Sequence, residues 1–161
     1  MSPNDLFVPL SFIGGPAILM NACAVMQNGA SVRYSLAINL WREMRAEASD
    51  GTGTLLDSYS DPALAMSLAS RRIRLLLIAL NLLYVTVGLF GIATVSGLVG
   101  SYVYAAGTPG SGVGAVALVV GAASLATLGL LAAMVVFVME SRTTQRLIRL
   151  QAHSADSIRR A

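Results

Sequence analysis

Chemistry in this chain has few groups to work with. Of 161 residues, 8 are acidic, 11 are basic, and His and Cys occur once each. The polar side chains of most interest are Asn21, Cys23, Gln27 and Asn28, then Asn81 and Thr86, then Ser124 and Thr127. Each falls in a stretch with no charged residue. Amides and hydroxyls in such surroundings either bond across helices or line a path for a small solute. Carboxamides and alcohols give up no proton near neutral pH, so a proton relay is disfavoured and structural bonding is the favoured role. Catalytic signatures are missing from the sequence: there is no phosphate-binding Gly-Lys-Ser/Thr loop, no His-Glu-x-x-His and no second Cys. His153 lies in a polar tail, and Met20, Met26 and Met134 offer only thioethers, which normally fill apolar cores. The expectation is a non-enzymatic chain with no cofactor and no bound metal.

The elements that must position these groups are set by where charge is missing. Residues 6–32 hold no charge, a run of 27, and residues 75–139 hold none, a run of 65. Hydrophobic residues make up 55% of the chain and charged ones only 12%, about half the charge of an ordinary soluble domain. A bilayer core needs roughly 20 apolar helical residues. The longer run accommodates two crossings, separated by the breaker-rich stretch 105–112 with Gly107, Pro109, Gly110 and Gly112. The sequence therefore predicts one all-α membrane domain with three transmembrane helices: about 16–32, 75–99 and 113–139. Gly14-Gly15-Pro16 is taken to start the first helix, since Pro is tolerated in a first turn, leaving residues 6–13 at the membrane surface. A cleaved signal peptide is disfavoured because residues 1–5 carry no positive charge.

Orientation follows from the basic residues, every one of which is Arg and lies in 33–74 or 142–160. Positive-inside places the N-terminus outside, the 33–74 segment inside, the 100–112 turn outside and the C-terminus inside, in a bacterial cytoplasmic membrane. The first span should continue as helix to about residue 48, followed by a loop at 49–61. Asp61-Pro62 is a helix start signal, an acidic cap followed by a proline at the first helical position. A second helix, 62–99, then forms a cytoplasmic hairpin with the first, and the tail 140–161 either extends the third helix or lies on anionic headgroups. Leu40, Trp41 and Met44 are expected to face Leu64 and Leu68, as a self-packed hairpin or as a docking surface.

Counting from the boundary charges puts Asn21, Thr86 and Thr127 about 18–20 Å deep, and Gln27 and Asn81 about 9–11 Å deep. Two layers of interhelical hydrogen bonds are thus expected. Arg33 and Glu140 fall at the same inner boundary and are candidates for an ion pair. Small residues recur at four-residue spacing, with Ala93 and Gly97 in the second span and Ala117, Gly121, Gly129 and Ala133 in the third. Such spacing lets helix backbones approach closely.

Several of these stretches resemble a bacterial family known only as a domain of unknown function, number 2721. They are Pro16-Ala-Ile-Leu-Met-Asn-Ala-Cys-Ala-Val-Met, Val32-Arg-Tyr, Leu40-Trp-Arg-Glu-Met-Arg, Arg71-Arg-Ile-Arg-Leu-Leu-Leu, Leu83-Tyr and Met139-Glu-Ser. The similarity runs over about 16–150, and the Gly-rich 49–61 loop departs from the family's pattern. The resemblance implies three spans in a bacterial cytoplasmic membrane and implies no activity. The function expected is an accessory or scaffold subunit of a larger membrane complex. The alternative is a homo-oligomeric channel or transporter lined by the intramembrane Asn, Gln and Thr residues. Expected partners are the bilayer, other membrane subunits or copies of the chain, and anionic lipid headgroups through Arg; nucleic acid is not expected.

Overall fold

A computed structural model describes the backbone of residues 4–50, 56–105 and 111–160, and the side chains of residues 14–50, 56, 58–103 and 114–151. The protein is all-helical. Helix α1 spans Asn4–Asp50, α2 spans Pro62–Ala105 and α3 spans Ser111–Arg160, with a short 3-10 turn at Leu56–Ser58 before α2. Two helices are long and apolar enough to cross a membrane, within Pro62–Val103 and within Gly114–Gln151. The most apolar stretch of the first is 33% buried and that of the second only 11%. The core helix of a soluble protein would hide most of such a surface.

Three boundaries differ from those expected. Helix α1 begins at Asn4 and runs through Pro16, which therefore does not start it. An interior proline forfeits one backbone hydrogen bond, and α1 continues as helix on both sides of it. Helix α2 continues past residue 99 to Ala105, and α3 begins at Ser111, before the expected 113; it runs on to Arg160, so the tail extends the third helix, one of the two placements expected for it. Gly97 and Gly100 lie inside α2 and do not end it. Residues 51–55 of the expected loop and 106–110 of the expected turn lie outside the described residues. The start of α2 is as the sequence predicts. Asp61 Oδ1 accepts the Leu64 N–H at 3.0 Å, and the Asp61 carbonyl accepts the Ala65 N–H at 3.0 Å, with Pro62 in the first helical position, where its missing N–H costs nothing.

The chain divides into two compact units, 1–28 with 81–133, and 29–80 with 134–161. In the first, Cys23 of α1, Phe90 of α2 and Ala126 of α3 form a buried cluster, with Val87, Leu89 and Leu130 against it. In the second, Met44, Leu56, Tyr59, Ala65, Ala69 and Leu147 form the core, with Leu40, Trp41, Met66, Leu68 and Leu150 against it.

Burial along each helix repeats every seven residues. Among the described residues the buried positions of α1 are Cys23, Ala30, Ala37 and Met44; those of α3 are Val119, Ala126, Ala133, Glu140 and Leu147, with Thr143 between the last two. Helix α2 carries two interleaved series, Ala69–Leu76–Leu83–Phe90 and Ala65–Arg72–Ala79–Thr86–Ala93, all buried but Arg72, which is half-buried. A period of 3.5 residues per turn keeps one seam of a helix against its neighbours. Alanine dominates that seam, which allows close approach of backbones.

Candidate functional site: a buried carboxylate between two arginines

The group in this chain that most needs explanation is Glu140. It occupies a seam position of α3 that is otherwise Val, Ala or Leu, and it is only 3% exposed. A lone buried carboxylate is strongly disfavoured and requires partners. Arg72 of α2 supplies the main one: its Nε donates to Glu140 Oε1 at 2.7 Å. Thr144, one turn on in α3, donates its hydroxyl to the same oxygen at 3.0 Å. Arg33 of α1 reaches Glu140 Oε2 with one terminal nitrogen at 3.8 Å and remains 58% exposed. One carboxylate thus ties together all three helices of the second unit.

The seam explains how Arg72 gets there. It stands between Ala65 and Ala79 in that inward series, and its side chain is half-buried. What the cluster does chemically is fix register. Sliding α2 or α3 by one turn would strand a buried charge, the role for which buried ionic groups are best attested.

The structure brings Arg33 and Glu140 together, with Arg72 as the nearer partner. Arg72 is not singled out by the charge-free runs, for which it is only one of the arginines at the boundary of the second span. A seven-residue scan of α2 and α3 would have put Arg72 and Glu140 on inward seams.

The polar residues expected deeper in the bilayer are placed differently from one another. Asn21 and Asn81 are exposed, and Gln27 is half-buried with its amide nitrogen buried and unpartnered. Thr86 is fully buried and donates to the Leu82 carbonyl at 2.7 Å; Thr127 is exposed and donates to the Ala123 carbonyl at 2.8 Å. Both hydroxyls thus bond back onto their own helix one turn earlier, a local partner always within reach.

Among the small residues, Ala93 is buried and Gly97 half-buried, both on the inward seam of α2. Gly129 is pressed on Thr86: a Cβ there would lie 2.6 Å from the Thr86 hydroxyl oxygen. Gly121 faces outward with nothing within 4 Å, in company with exposed Gly114, Ala117 and Ser124. A contact the sequence reading did not anticipate is Gly100 with Ala115, where a Cβ would sit 2.9 Å from the alanine's own Cβ.

The expected hairpin surface is largely consumed by packing. Met44 is fully buried, and Leu40, Trp41 and Leu68 lie against the core of the second unit. Leu64 remains 44% exposed, because the inward positions of α2 are Ala65 and Ala69, one residue further on. Leu64 and Leu68 line an open groove of about 410 Å³ with Ser60, Arg146, Arg149 and Leu150. Arg45 stacks over the Trp41 ring at 5.0 Å, a contact for which the stacking of guanidinium on an aromatic face is sufficient reason.

Among the described residues there is no group of three or more His, Cys, Asp or Glu placed to hold a metal ion. No protein-family model, no curated protein and no solved structure matches the chain.

Proposed function

We propose that the protein is a small non-enzymatic membrane protein with three spans, acting as an accessory or scaffold subunit of a larger complex in a bacterial cytoplasmic membrane. The observation that carries this is the outward surface of α3. Val116, Leu118, Val120, Leu125, Leu128 and Leu131 are all exposed, and water is a poor solvent for so continuous an apolar face. In lipid the same face has no such cost. The charge-free residues 6–32 lie wholly within α1, and at 1.5 Å per residue they supply more than the roughly 30 Å a crossing requires. The arginines then fall on one side, the cytoplasmic one, with exposed guanidiniums near anionic headgroups.

An assembly role is supported by what faces outward. Gly114, Ala117, Gly121 and Ser124 are exposed along α3, at the small-residue spacing through which membrane helices meet one another. A channel would have to be built between copies, because Asn21 and Asn81 face away from the core of their own unit. The resemblance to domain-of-unknown-function family 2721 agrees with a three-span protein and adds no activity.

The test is extraction followed by native mass measurement in mild detergent. The protein should resist alkaline carbonate and should purify in fixed ratio with larger, unrelated membrane subunits. Release by carbonate would overturn the membrane reading, and a closed ring of identical subunits would favour the channel.

A further inference from the structure

Helix α1 carries a second stripe, on the side away from its buried seam. Asn21, Ala24 and Asn28 are all exposed, at spacings of three and four residues, so the two carboxamides stand one heptad apart with a methyl between them. Val25, also exposed, stands across the line of the two asparagines from Ala24, with exposed Ile18 one heptad before it. Both asparagines lie in the first compact unit, inside the charge-free run. Hydrocarbon chains offer neither donor nor acceptor, so an outward carboxamide at this depth calls for a polar partner.

We propose that this stripe is the contact between two copies of the chain, paired in parallel through α1; the proposal rests on the membrane reading above. A carboxamide is both donor and acceptor, so it is electrostatically complementary to a second carboxamide. In a pair related by a two-fold axis along the membrane normal, Asn21 meets Asn21 and Asn28 meets Asn28, at matched depth by construction. A helix from an unrelated protein would need the same two groups at the same two depths. Seven-residue spacing suits the seam of a left-handed helix pair, in which a buried Asn selects register and oligomer state. Ala24, between the asparagines, lets the backbones approach closely enough for the amides to reach each other. The same spacing continues along α1 to Ser35 and then Arg42. Like charges would face each other there, so the pairing is confined to the uncharged part of the helix.

The single native Cys makes the test direct. In a Cys23→Ala background, one cysteine is placed at position 21, 22, 24, 28 or 29 of the full chain, and vesicles are oxidised with copper–phenanthroline. Positions 21, 24 and 28 should give a disulfide-linked dimer at least fivefold more abundantly than 22 and 29, which are also exposed but stand about a quarter-turn round the helix from the asparagines. Leucine at both 21 and 28 should cut dimer formation from position 24 at least fivefold. Cys23→Ser serves as the background should the alanine variant fail to accumulate. Equal linking at all five positions, none at 21, 24 and 28, or linking only to a polypeptide of different size would each overturn the pairing. A carbonate wash of the same vesicles separates the two claims: a chain that stays in the membrane but does not cross-link refutes the pairing alone.

Discussion

Arg72 Nε lies 2.7 Å from Glu140 Oε1, joining α2 to α3 across 68 residues of sequence. The Glu140 side chain is 3% exposed and that of Arg72 19%, so the pair is shielded from water on nearly every side. Removing one member of a buried ion pair typically costs about 3–5 kcal/mol, because the other is left without a partner. Glu140→Gln and Arg72→Leu should each lower stability in detergent toward the low end of that range, given the residual exposure of Arg72. The double change should cost much less than the sum. Arg33→Gln should cost below about 1 kcal/mol, as its guanidinium is mostly solvated. Unfolding midpoints of the three single variants and of the Arg72/Glu140 double variant check this, and strict additivity would remove the pair.

Gly129 of α3 packs directly on Thr86 of α2, both in the first unit. Gly129→Ala should destabilise by about 1–3 kcal/mol, the usual range for overpacking, since its methyl would collide with the Thr86 hydroxyl. Thr86→Ala should restore much of the loss, because it removes the colliding atom. Gly121→Ala, with open space around it, should stay within about 0.5 kcal/mol of the parent. Thermal unfolding of the purified variants gives all three values.

The register of the second unit is testable at neighbouring residues. Ala65 is fully buried and Leu64 is exposed. Ala65→Leu should therefore overpack the core around Met44 and cost about 1–3 kcal/mol. Leu64→Ala should be nearly silent, and the reverse order would show that the seam lies one residue away.

These contrasts mark what the sequence could and could not convey. Missing charge and clustered breakers give three helices, because both act through the solvent and the local backbone. The Asp61–Pro62 start was legible for the same reason, as a cap is a local device. Pro16 misled: proline's tolerance in a first turn suggests a helix start, whereas α1 runs through it from Asn4. The inward seam was harder. In a helix rich in apolar residues, hydrophobicity does not distinguish an outward Leu from an inward Ala, so Leu64 drew attention that belonged to Ala65, whereas Leu68 does lie against the core. Burial here follows size and a seven-residue period, and Arg72 and Glu140 become visible as a pair once that period is applied.

Tyr59 gives a pH prediction. It is buried in the core of the second unit, and burial raises its phenol pKa above the ordinary 10.0 by disfavouring the charged form. The unfolded chain then loses this proton at lower pH than the folded one. The stability contributed is fully present below the unfolded pKa and is lost as pH rises through the folded pKa. Denaturant midpoints should fall more steeply above about pH 10 for the parent than for Tyr59→Phe. Parallel alkaline limbs would show that the phenol is not shielded.

The central claim is that lipid surrounds α2 and α3, with every arginine on the cytoplasmic side. In a Cys23→Ala background, single cysteines at Thr108 and Gln145 are exposed to a membrane-impermeant maleimide in intact spheroplasts and again after lysis. The account predicts labelling at 108 in both cases and at 145 only after lysis. Labelling at 145 in intact spheroplasts, with 108 protected until lysis, would contradict it.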